Sequence, residues 1–207
     1  MCLSALERLP ARRHRLPLSR ARARRLGVAR DATPLIIGAT PRTPMAGFSR
    51  ADQEFAPIPG ARVLVVAAHF NARVVALLRE GAAAALARAK VEARVIEVPG
   101  ALEIAPAAAI ALEAARKAGA PYDGVVALGC VIRGETYHFE IVANESARAL
   151  SDLAVAQRLP LGNGILTVEN EDQALARADP KRGDKGADAA LAALALIRLS
   201  RELAGRR

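Results

Sequence analysis

The clearest pattern in the chain begins at Arg62. A valine-rich apolar run, Arg62–Ala68, leads into residues 72–91, where Val, Leu and Ala recur at helical spacing between charged positions. Residues 93–98 alternate apolar and polar side chains, as a short strand does. Residues 102–118 return to helical spacing and stop at Gly119, a residue suited to the left-handed position after a helix. The pattern predicts a third strand over 123–132 and a third helix over 136–158. A fourth strand, 164–168, is entered through Pro160 and Gly162. A short helix over Glu171–Ala178 and a long one over 184–204 complete the order. Strands alternating with helices imply a parallel sheet covered on both faces. Right-handed crossovers then restrict this α/β chain to a flavodoxin-like three-layer αβα sandwich with a four-stranded parallel sheet.

The first 55 residues break the pattern. They hold Arg clusters and scattered prolines (Pro10, Pro17, Pro34, Pro41, Pro44) without a sustained period, a composition that does not readily bury a core. Charge sharpens the division. The chain of 207 residues carries a net +9, but residues 1–55 place eleven Arg against four acids, whereas residues 56–207 place nineteen Lys/Arg against seventeen Asp/Glu. A basic arm, an Arg-rich targeting peptide, or an upstream start codon with the true start at Met45 each fit this leader. It is read here as the last of these or as plain disorder, with the working domain at 56–207. The nearly neutral body and its few aromatics argue against nucleic acid as a partner. No run of about 18 apolar residues suggests a membrane span. Cys2 and Cys130 are far apart and match neither a disulfide framework nor zinc spacing, so a reducing, cytoplasmic setting is expected and no metal. Cys130 reads first as a small core thiol.

In open parallel sheets ligands bind beyond the carboxyl ends of the strands, and the unusual residues of the body collect there. Strand one ends at His69-Phe70-Asn71, strand two at Pro99-Gly100-Ala101-Leu102-Glu103, and strand four at Glu169-Asn170. Strand three runs into Gly129-Cys130-Val131-Ile132-Arg133-Gly134-Glu135-Thr136-Tyr137-His138. That Gly-flanked turn before a helix offers N–H groups and a helix dipole to an anion. His138 places beside it a side chain able to give and take a proton near neutral pH. Its plainer reading is a polar residue in a first helical turn. His69 is the rival histidine but lacks the anion turn. Phe70 is either a core aromatic capping the sheet or a platform for a planar heterocycle. Glu103 is either a first-turn acid or an acceptor for sugar-like hydroxyls. Arg177 is a phosphate clamp or a charge at a helix end. His138-Phe139-Glu140 matches half of a zinc deaminase signature, but the Pro-Cys-x-x-Cys half is missing, and no Gly-x-Gly-x-x-Gly or Walker sequence occurs.

These blocks, together with Asn163-Gly164-Ile165-Leu166-Thr167 and Lys185-Gly186, resemble the 6,7-dimethyl-8-ribityllumazine synthase family over roughly residues 60–204. The resemblance implies a cofactor-independent transferase of riboflavin biosynthesis. It joins 5-amino-6-(D-ribitylamino)uracil to 3,4-dihydroxy-2-butanone 4-phosphate. It implies that Phe70 stacks on the pyrimidine, that Ala101, Leu102 and Glu103 hold the ribityl chain, and that Cys130, Val131 and Ile132 contact the heterocycle through their backbone. Glu135 and Thr136 would bind the phosphate, with Arg177 completing the clamp. His138 would transfer protons, oriented by Asp188, and Lys185 would lie near the heterocycle. It also implies a homopentamer, or a multiple of one, with small-molecule substrates bound between neighbouring subunits. Asn163, Arg177 and Lys185 would then come from the partner's half.

Three positions depart from the family's usual residues. Asn163 stands where many members carry Phe, Leu102 where Phe is frequent, and His69 where Arg is common. The loop at 179–186, with Pro180, bears on assembly size, and a free pentamer or dimer of pentamers is expected. A flavin or lumazine carrier on the same fold is the rival reading, since fold alone does not define activity. A scaffold acting through the basic arm is a third.

Overall fold

The computed structural model describes residues 57–205. The basic leader at 1–55, with its proposed start at Met45, lies outside the described residues. Four strands run in the order β1 (Arg62–Ala68), β2 (Glu92–Val98), β3 (Gly124–Ile132) and β4 (Leu161–Val168). Between and after them come α1 (Ala72–Arg88), α2 (Ile104–Lys117), α3 (His138–Gln157), α4 (Glu171–Ala178) and α5 (Lys185–Gly205). All strand pairs are parallel, and the sheet order is β2-β1-β3-β4. The chain therefore winds outward from β1 in both directions, which is the flavodoxin-like αβα arrangement.

The sheet divides two apolar cores. Val63, Val65 and Ala67 of β1 point to the face covered by α1, α4 and α5, where they meet Leu78, Leu86, Ala174, Leu194 and Ile197. Leu64, Val66 and Ala68 point to the other face, covered by α2 and α3, and meet Ile104, Ala108 and Leu150. β1 and β3 are buried almost throughout because both faces are covered. β2 is an edge strand and stays largely exposed, and Arg79 of α1 pairs with Glu97 over it. α3 is the least embedded helix: of its 20 residues only Ser146 and Leu150 are buried.

The observed elements begin or end within a few residues of the expected ones, and two shifts matter. β4 starts at Leu161 rather than 164, pairing with Val125 of β3. Gly162, which reads as a breaker, lies inside this strand because the Ala189 carbonyl of α5 would be 1.8 Å from a Cβ there. α3 starts at His138, not Thr136, with Tyr137 as its cap. Residues 134–137 are a separate turn, and that turn carries the site. Gly119, at φ +70°, follows α2 in the left-handed conformation the sequence predicts.

Candidate active site at the carboxyl ends of the strands

A cleft of about 450 Å³ opens at the carboxyl ends of β1, β2 and β3, on the α2/α3 face. Each wall follows from local sequence. Phe70 and Asn71 form the first wall. Asn71 adopts the left-handed conformation at φ 59°, which a short amide side chain tolerates, and its Nδ2 donates to the Cys130 carbonyl at 2.9 Å. This bond ties the end of β1 to the end of β3 and fixes the point where the chain turns away. Phe70 is left 72% exposed, which an aromatic core residue would not be. The core reading of Phe70 is thereby removed.

The second wall is a single 3₁₀ turn, Ala101–Glu103, between β2 and α2. Gly100, Ala101, Leu102 and Glu103 all face the cleft. The third wall is the end of β3, where Cys130, Val131 and Ile132 line the floor. Burial pushes the Cys130 thiol up to about 11, so it is a neutral wall group and not a nucleophile.

The fourth wall is the turn at Gly134 and Thr136 with the start of α3. The N–H groups of Gly134, Glu135 and Thr136 find no acceptor among the described residues, so they are free for an anion. His138 lines the same cleft, followed by Phe139 and Val142. Val142, four residues after His138, lies on the same helical stripe; that spacing would have marked it in the sequence. Arg133, which opens the turn, is engaged by Glu140 and Glu169 and is not directed at the cleft.

Thus Phe70, Ala101, Leu102, Glu103, Cys130, Val131, Ile132, Thr136 and His138 are brought together within one chain. Glu135 belongs to the turn without lining the cleft. Asn163, Arg177, Lys185 and Asp188 are not brought to it. Asn163 is exposed on edge strand β4, and its Oδ1 accepts from the Ile165 N–H at 3.0 Å. Lys185 Nζ pairs with Asp188 at 2.7 Å at the start of α5, on the sheet face opposite α3. Arg177 lies in the last turn of α4, its Nη1 donating to the Gln173 carbonyl at 3.4 Å. The following loop grips the backbone of Arg177: a Cβ on Gly183 would stand 2.7 Å from the Arg177 Cα and from the Ala176 carbonyl.

Among the described residues no group of three or more His, Cys, Asp and Glu is placed to hold a metal, and no helix is long and apolar enough to cross a membrane. A larger hollow of about 800 Å³ lies between the ends of α3 and α5. It is walled by aliphatic side chains such as Val155, Leu196 and Leu203, and it contains no histidine or carboxylate.

Fold and cleft together define an α/β enzyme that handles small molecules beyond the ends of a parallel sheet. Residues 60–201 match the family described as 6,7-dimethyl-8-ribityllumazine synthase. The enzyme of that name from Methylocella silvestris is 59% identical over 158 residues, covering 76% of this chain and 94% of its own. That from Beijerinckia indica is 56% identical over 159 residues (77% and 86%), and that from Azorhizobium caulinodans 61% over 145 (70% and 90%). The chain belongs to the 6,7-dimethyl-8-ribityllumazine synthase family.

Proposed function

We propose that the protein condenses 5-amino-6-(D-ribitylamino)uracil with 3,4-dihydroxy-2-butanone 4-phosphate, giving 6,7-dimethyl-8-ribityllumazine, phosphate and water. The carrying observation is the composition of one cleft: an exposed aromatic ring at one side, and unoccupied N–H groups with a histidine at the other. The pyrimidine stacks on Phe70, and its ribityl chain lies along Ala101, Leu102 and Glu103. The backbone of Cys130 to Ile132 borders the ring. The phosphate sits against Glu135 and Thr136 at the entry to α3.

In this reading the amine of the uracil attacks the ketone and water leaves to form an imine. Phosphate is then eliminated, a carbonyl forms from the resulting enol, and ring closure expels a second water. No electrons are exchanged with an outside acceptor, so no redox cofactor is required. His138 relays protons in these steps. Much of the acceleration comes from holding two substrates at one place.

The half-site left open in a single chain supports assembly. Asn163, Arg177 and Lys185 lie away from their own cleft and are assigned to the cleft of a neighbour in a homopentamer or dimer of pentamers, whereas Asp188, paired with Lys185, does not orient the His138 of its own chain. The exposure of most of α3 supports the same arrangement. A cytoplasmic location goes with this reading.

The test is absorbance of purified protein mixed with both substrates. A lumazine chromophore forming faster than in buffer, and more slowly with His138→Ala, is the expected result. Tight binding of the pyrimidine or of riboflavin with no acceleration would replace the synthase by a carrier.

A further inference from the structure

Arg133 opens the anion turn and, by position, invites assignment to the phosphate. Its surroundings assign it elsewhere. Its Nε meets the Glu169 carboxylate at 2.7 Å and its Nη1 meets Glu140 at 2.5 Å. The guanidinium carbon stands 4.1 Å from the centre of the Phe139 ring. The Arg133 backbone N–H donates to the Val168 carbonyl at 2.9 Å. Two carboxylates around one guanidinium leave no surplus positive charge to draw in an anion, and they occupy two edges of its planar fork.

The same contacts join three pieces of chain: the residue after β3, the first turn of α3, and the residue after β4. Everything between Arg133 and Glu140 is the anion turn and His138. The N–H groups of Gly134, Glu135 and Thr136 have no acceptor among the described residues, so no hydrogen bond of their own fixes their direction. We infer that Arg133 is a positioning residue: with Glu140 and Glu169 it clamps both ends of the turn and sets the direction of the N–H groups and of the His138 imidazole, without touching the phosphate. This rests on the cleft reading above. The Glu140 carboxyl is held below the ordinary glutamate range, first by the hydrogen bond from Arg133, so the clamp stays charged at neutral pH. Exposed ion pairs add little to global stability; here the consequence is local geometry.

The test uses the full chain and three variants: Arg133→Met, Arg133→Lys and the double variant Glu140→Gln/Glu169→Gln. Calorimetry with inorganic phosphate as probe is set beside steady-state kinetics and melting curves. All three variants are expected to weaken phosphate binding. Each raises KM for the butanone phosphate about tenfold or more, because misaimed groups lose their geometry. KM for the aminouracil stays within about twofold, the split expected of a group serving one substrate. Arg133→Lys behaves like Arg133→Met, since a point ammonium cannot span two carboxylates and stack on a ring. Melting temperatures stay near that of the unaltered chain.

Tighter phosphate binding in the double glutamine variant would show Arg133 freed to act as a direct ligand and would overturn the inference. So would unchanged phosphate binding in Arg133→Met. Should the unaltered protein bind phosphate in the cleft yet make no lumazine, the synthase reading falls, and the clamp is judged on phosphate binding alone.

Discussion

The exposed Phe70 ring and the His138 imidazole carry the function proposed for this cleft, and each can be removed. Phe70→Ala takes away a stacking contact worth about 1 kcal/mol, so KM for the aminouracil rises several-fold while the fold is untouched; thermal melting beside kinetics checks both halves. His138→Ala lowers kcat by about a hundredfold at most, because general acid–base catalysis adds to a reaction already helped by proximity. Arg177→Ala raises KM for the phosphorylated ketone roughly tenfold, the loss of one charge-assisted contact; full activity would remove it from the clamp. Cys130 gives an independent check on burial. Its thiol, pushed up to about 11, is protonated at pH 8. Burial disfavours the thiolate, so iodoacetamide leaves Cys130 unmodified in the native protein and alkylates it after unfolding, as mass spectrometry will read. Residue types and order marked Phe70, Ala101 to Glu103, Thr136 and His138 in the sequence, because chemistry-bearing side chains stood out against aliphatic strands. Arg133 was not legible in the same way. Its role depends on Glu140 and Glu169, seven and thirty-six residues away, and no local pattern reveals that a charge has already been neutralised.

At the scale of elements, the sequence pattern located the four strands and five α-helices of the described residues but not the 3₁₀ turn Ala101–Glu103, and the errors fell where tertiary contact overrules local preference. Gly162 looks like punctuation, yet it is a strand residue whose missing side chain lets α5 approach β4. Thr136 looks like a helix start, yet the chain first makes a turn, and α3 begins at His138. α4 is a short element with a specific support: Asn170 caps it by accepting from the Gln173 N–H at 3.0 Å. Asn170→Ala is expected to cost about 1 kcal/mol of stability, measurable by urea unfolding, and to reduce use of the phosphorylated ketone in step with the disturbed seat of Arg177. A loss of stability with unchanged kinetics would separate α4 from the site.

For the whole molecule, the proposed assembly is what a single chain reveals least, because the roles proposed for Asn163, Arg177 and Lys185 require a surface the chain does not itself supply. Mixing His138→Ala and Arg177→Ala chains under refolding conditions, assayed well below KM for the phosphorylated ketone, should raise activity above the average of the parents, since about a quarter of interfaces then join two unaltered halves. Activity no higher than the average of the parents would place each site within one chain. Removal of residues 1–44 is expected to leave turnover unchanged, whereas a scaffold working through its basic arm would be abolished. The close seat of Gly183 against the Arg177 backbone carries this into genetics. In the proposed assembly, a Gly183→Ala allele is expected to displace Arg177 while leaving its own chain's cleft intact, so its damage would appear next door. In a cell making both forms, the altered subunits would spoil clefts belonging to normal ones, but normal subunits would equally complete the clefts of altered ones, so half of the clefts stay whole and the riboflavin requirement would be inherited as a recessive trait.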